Sequence, residues 1–396
     1  MLIKLGTFFF ICIGCSQLVI PLSVPTCSRV GKKNALKALY KLTIHNLCNS
    51  GVLKASPTVS CTHRETASIL IFQKRQQQAI AMEGHRIGRF TIILASMAIY
   101  IVAIVLNILA GPGFSPFTNS TGNISAKYDT DITPSGWTFS IWIVIYIWLT
   151  FMMVYILCTL CLRNSYGYTY CSPPVLPYGF FISFIVNMIC NITWLLLWDR
   201  EQMIAALVII ALVALTNYIM IFFSCHGLKI YGAWLNKYHK RDLWLIRILV
   251  QNGIATYMTW TTLATLINLA IVMDYDGQLS RADAGTVCLS FLTVLMILWF
   301  ILENSVLDKY VRYILTIYPV IIVALTGNIT KNYDPAAPSR NAIFIAVLLG
   351  LACLLFVLRV LLVVWRHFKQ PLYRGMNTEE IMSPIEIAEK QKKIFT

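Results

Sequence analysis

Three apolar stretches place aromatic and amide side chains at helical spacing, and these residues are the ones equipped for chemistry. In the first, Phe139, Trp142 and Tyr146 fall within roughly 60° of one another at the helical pitch, and Trp137 points elsewhere, towards the lipid headgroups. In the second, Asn187, Asn191, Trp194 and Trp198 occupy an arc of roughly 60°. In the third, Tyr257, Trp260, Ala264 and Asn268 span roughly 80°. Indoles, phenols and amides do not titrate near neutrality, so the chemistry they offer is recognition: ring stacking and oriented hydrogen bonds. An amide in lipid must find a partner, so each stripe turns towards other helices. Two readings stay open there, interhelical glue or a shared cavity for a flat or bulky apolar ligand with a few polar groups.

The elements that carry these stripes are membrane spans. The chain is 58% hydrophobic and 12% charged, which excludes a soluble globular domain and gives an all-α, polytopic transmembrane bundle. Eight spans are expected, at residues 90–110, 137–162, 177–198, 203–223, 243–273, 286–302, 311–327 and 341–365. Pro134 and Gly136 mark the entry to the second. The organisation is then a basic, poorly ordered arm at 1–89 with a signal-like segment at 1–22, a five-helix unit at 90–273, three further helices at 274–365 and a polar cytosolic tail at 366–396. Met82 is a natural start for the multipass part, and residues 1–81 are expected to be dispensable.

Charge sets the orientation. Residues 27–89 hold 11 Lys/Arg against 2 Asp/Glu, so much of the net +15 belongs to one arm and to loops on one side. That pattern fits an anionic bilayer face and not a nucleic acid. Basic residues before the first span, after the fourth and after the eighth place both termini in the cytosol. Sequons at Asn119, Asn123 and Asn328 fall in the alternate loops, as glycosylation in a secretory-pathway membrane requires. Arg247 and Arg359 lie near cytosolic span ends, where they are expected to snorkel, and Glu303 closes the sixth span. Cys158, Cys161 and Cys171 lie near a membrane boundary, as small apolar residues or palmitoylation sites. The pairs Cys12/Cys15 and Cys158/Cys161 have no histidine or second pair nearby, so no metal site is expected.

No carboxylate, histidine or lysine sits at the centre of a span, which weighs against proton coupling and against metal or nucleophilic catalysis. The protein is expected not to be an enzyme. A facilitative solute transporter remains the alternative to a binding protein, with an enzyme acting on a lipid or porphyrin a weaker one.

At these residues the chain resembles the translocator protein family, which includes the peripheral benzodiazepine receptor and the bacterial tryptophan-rich sensory proteins called TspO. Pro134, Trp137, Phe139, Trp142 and Tyr146 follow its second-helix pattern, with one residue fewer between the two Trp and without the second Pro. Asn187, Asn191 and Trp194 follow the third-helix pattern, with Asn187 standing where Gln is usual. Tyr257, Trp260, Ala264, Thr265 and Asn268 follow the fifth-helix pattern without a gap. The resemblance covers residues 90–273. It implies a five-helix bundle with an internal pocket, no resident cofactor, and a porphyrin or sterol as ligand. The expected partners are the lipid bilayer and a hydrophobic small molecule; homo-oligomerisation is left open.

Overall fold

The computed structural model describes residues 86–373 and 382–395. The signal-like segment at 1–22, the Cys12/Cys15 pair, the Met82 start and nearly all of the basic arm lie outside the described residues. The first helix, α1, runs Ile87–Ala110 and so begins three residues before the expected span. It stops at Gly111-Pro112-Gly113, and a short α2, Thr121–Lys127, follows under a Ser120 cap whose Oγ accepts from Asn123 N at 3.1 Å. A 3-10 turn, Gly136–Ser140, leads into α3, Ile141–Cys161. Two-residue strands β1, Arg163–Asn164, and β2, Gly167–Tyr168, form an antiparallel hairpin with Arg163 opposite Tyr168. Ser165 and Tyr166 make its turn, and Gly167 leaves it at φ +113°.

Pro173, Pro174 and Pro177 keep the chain out of helix until α4, Tyr178–Asp199. Next comes α5, Met203–Tyr238, which at 36 residues outruns the expected 203–223 and passes well beyond a bilayer core. The fifth rod is continuous: α6, Lys240–Leu245, a π-turn at Ile246–Gln251, α7, Asn252–Ile271, and a π-turn at Val272–Asp276. Then follow α8, Arg281–Asn304, α9, Asp308–Val311, α10, Ile317–Asn332, α11, Arg340–Lys369, and α12, Pro384–Phe395. Part of the expected polar tail is thus helical, and α12 packs against α5.

Among the described residues, seven helices are long and apolar enough to cross a membrane. The seventh expected span, 311–327, is displaced and shortened. Its helix, α10, has 16 residues, about 24 Å at 1.5 Å per residue against a hydrocarbon core of about 30 Å. The residues before it are held out of the helix by Asn252. Its Nδ2 donates to Tyr313 O at 2.8 Å, its Oδ1 accepts from Leu315 N at 2.9 Å, and its carbonyl accepts from Thr316 Oγ1 at 3.1 Å. Irregular backbone at this depth is tolerated because protein groups satisfy it. At its other end α10 gains a turn: Ser135 N donates to Gly327 O at 2.9 Å and Asn332 Nδ2 to Thr133 O at 3.1 Å. The expected acceptor Asn328 is consequently in helix, 4% exposed, with Oδ1 accepting from Asn332; the expectation of a loop acceptor is corrected. Asn119 and Asn123 are exposed.

The rod that contains α7 is the centre of the bundle, with 72% of its apolar window buried against 22–50% for the other spans. It packs against α3, α5, α8 and α10; α1 packs on α4, and α11 on α8 and α10. Ionic clusters tie the loops at the two ends. At one, Asp129 pairs with Arg281 and Lys331 at 2.5 Å each, Asp131 with Arg281 at 3.1 Å, and Lys127 with Glu201 at 2.5 Å. Burial pushes the Asp129 carboxyl up, but Lys331 and Arg281 together hold it below the usual aspartate range. At the opposite end Asp308 accepts from Arg312 and Arg366, and Arg359 and Glu303, both fully buried, meet at 3.2 Å. Arg247, too, is only 5% exposed. The expectation that Arg247 and Arg359 snorkel is therefore corrected: each finds ring or carboxylate partners inside the protein instead of reaching for water. Of the boundary cysteines, Cys161 is exposed, Cys158 half-buried and Cys171 buried.

Candidate functional site

The inward stripes of α3, α4 and α7 do meet, and Trp142 is the hub. Its ring stacks on Tyr146 (centroids 5.8 Å apart, 19° between planes) and on Trp194 (6.4 Å, 29°). It meets Tyr257 (6.0 Å, 66°) and Trp260 (6.2 Å, 88°) edge to face. Phe139 meets Trp260 at 6.2 Å and 89°, and Trp198 stacks on Trp194 at 5.4 Å. These are the offset and T-shaped arrangements that ring quadrupoles favour. On α4 and α7 the rings are buried, whereas Phe139 in the 3-10 turn and Trp142 and Tyr146 on α3 keep partial exposure. One wall of the cluster is therefore buried, and the other is partly exposed.

The amides divide. Asn191 belongs to the cluster: its Oδ1 accepts from Tyr146 OH at 3.3 Å and from Asn107 Nδ2 at 2.8 Å. Asn187 faces α5 instead, its Nδ2 donating to Val213 O at 2.9 Å and Thr216 Oγ1 at 2.8 Å. Asn268 donates to Ala264 O of its own helix at 2.9 Å. Trp198 Nε1 donates to Thr121 O at 3.3 Å, so that ring anchors the α2 segment at one end of the stack.

Several polar atoms in this apolar setting are left over. The indole N–H groups of Trp194 and Trp260 and the Oδ1 of Asn268 are buried without a hydrogen-bond partner. Tyr257 OH and Asn191 Nδ2 are likewise buried without a hydrogen-bond partner. Leaving such groups unpaired costs roughly 1–3 kcal/mol each, so a cluster of them asks for an explanation.

Two contributors from α1 escape the stripe pattern. Asn107, the one amide in that helix, braces Asn191, and Tyr100 OH donates to Tyr146 O at 2.7 Å, fixing the α3 backbone beneath the stack. Asn107 was a readable signal, an isolated amide in an apolar span; Tyr100 was not. A cavity of about 510 Å³ lies on the other side of α7, among α5, α8 and α10, and none of the stripe residues lines it.

A family model described as TSPO-like protein matches residues 92–361. The match takes in the helices beyond residue 273, which the resemblance in the sequence had left out. No curated protein and no solved structure matches the chain.

Proposed function

Because the chain belongs to the TSPO-like protein family, we propose that the ring cluster around Trp142 binds a flat, apolar small molecule bearing hydrogen-bond acceptors, of the tetrapyrrole kind. The observation that carries this reading is the pair of buried indole N–H groups, on Trp194 and Trp260, with no acceptor. Both belong to rings that touch Trp142. A guest with ring nitrogens or carboxylates supplies the missing acceptors, and its faces replace ring-on-ring contacts with equivalent ones. Entry requires the α3 rings to part from the α4 and α7 wall, which suits their partial exposure. We read the site as one for binding, since its indoles, phenols and amides offer ring stacking and oriented hydrogen bonds.

The test is quenching of tryptophan fluorescence by a porphyrin titrated into the purified full chain. Saturable quenching is expected, lost in Trp142→Ala/Trp260→Ala and retained in the surface control Trp365→Ala, which replaces a ring 52% exposed. Quenching that never saturates, or that survives the double substitution, overturns the reading. We further place the chain in a secretory-pathway membrane with the Asn119 and Asn123 end lumenal; a mobility shift on glycosidase treatment, lost in Asn119→Gln/Asn123→Gln, is the expected result.

A further inference from the structure

The end of the bundle opposite Asn119 carries a second concavity, of about 420 Å³, whose charged side chains, Lys240 and Arg247, are both basic and which His367 also lines. We propose that it binds a phosphate-bearing anion. Arg247 is the anchor. It sits on the π-turn Ile246–Gln251, a helical irregularity of the sort frequent at functional sites. Its guanidinium carbon lies 4.2 Å from the ring centre of Tyr313, 5.0 Å from that of Trp244 and 5.8 Å from that of Tyr373. One hydrogen bond leaves it, to Tyr373 OH at 3.3 Å.

A guanidinium has five N–H donors, and burying it without a counter-charge is costly. The neighbouring buried arginines are matched: Arg312 forks onto Asp308, and Arg359 faces Glu303 at 3.2 Å. Arg247 has three ring faces and a phenol, and no carboxylate among the described residues. Rings offset part of the cost of a buried cation, and an anion seated against the free donors offsets the rest. Phosphate oxygens fit the planar guanidinium fork, and the exposed Lys240 and His367 at the rim supply further donors. Gly232 on α5 lets Tyr373 close in, since a Cβ there would collide with its hydroxyl.

The helix that brings His367 to the rim, α11, also carries Trp365 and Phe368, 52% and 74% exposed, side chains that suit a bilayer interface. A lipid headgroup and a soluble phosphate ester present the same chemistry, and the experiment separates them. The purified full chain is titrated with short-chain phosphatidic acid, with diacylglycerol of the same chains, and with inorganic phosphate. Saturable binding of phosphatidic acid, absent for diacylglycerol, is expected, and Arg247→Gln lowers that affinity about tenfold. The exposed Arg163→Gln control at the same end retains it. Competition by inorganic phosphate identifies the anion itself as the ligand; inert phosphate with phosphatidic acid still bound identifies a headgroup presented by the bilayer. Equal binding of phosphatidic acid and diacylglycerol with no response to phosphate overturns the proposal, as does full affinity in Arg247→Gln. Should that variant not fold, Lys240→Gln/His367→Gln on the exposed rim decides: a loss of about threefold or more supports the site, and unchanged affinity overturns it.

Discussion

The two sides of α7 divide between them what a binding site needs. On one, Tyr257 and Trp260 meet the ring of Trp142, and buried donors and acceptors, Asn268 Oδ1 among them, are left unpaired. Roughly 150° around the helix, Thr259, Thr262 and Thr265 border the cavity of about 510 Å³. There each hydroxyl donates at 2.8 Å to a carbonyl of its own helix, on Ala255, Met258 and Thr261. Threonine back-bonding satisfies those hydroxyls locally. Unmet polar demand and open volume therefore lie on opposite sides. Volume alone marks a place where apolar matter can lodge; unpaired indoles mark a place where a particular arrangement of acceptors is preferred.

If that contrast is right, the two sides respond differently to substitution. Trp142→Ala removes the ring that holds four others together and is expected to cost about 3 kcal/mol of stability, read by unfolding in detergent, along with porphyrin quenching. A cost below about 1 kcal/mol would mean the rings do not form a unit. Gly327→Val reaches the same cluster from outside it. A side chain there collides with Thr138, itself fully buried, in the turn that delivers Phe139 and Trp142. Overpacking of this kind costs about 2 kcal/mol, and the variant should quench porphyrin less well although position 327 lies on α10. Unaltered quenching at lowered stability would separate α10 from the site.

How much of this was readable depends on what each residue needed to know. Hydropathy places the spans because the bilayer imposes length and polarity on each segment separately. The 3.6-residue period then puts Trp142, Trp194 and Trp260 on inward faces, and the structure brings those faces together. An arc on one helix does not say which neighbour fills it, so Asn187 could not be seen to bond α5 while Asn191, one turn on, bonds α3 and α1. Arg359 and Glu303 read as separate boundary residues because their pairing spans 56 positions. The displacement of α10 rests on Asn252, which lies 61 residues before Tyr313. In each case the missing information is a long-range partner, to which local pattern is blind.

On the spacious side of α7, Ala214→Leu should fill empty volume without disturbing a polar group. A gain of about 1 kcal/mol in stability is expected, with porphyrin quenching unchanged. Reduced quenching would show that the two sides of α7 communicate, or that the guest lodges in the larger cavity.

The smallest stability effect is the most discriminating. Asn268 is 4% exposed, spends its Nδ2 on a carbonyl of its own helix, and leaves Oδ1 unpaired. If it is only interhelical glue it glues poorly, because it bonds no other helix. Asn268→Leu keeps the volume and removes a buried unsatisfied acceptor, so stability should change by about 0.5 kcal/mol or less, in either direction. If Oδ1 is held for a guest, the same variant should weaken porphyrin binding by about threefold to tenfold, since one hydrogen bond of typical net strength is lost. A variant that loses stability and keeps its affinity would assign Asn268 to packing and confine the site to the rings around Trp142.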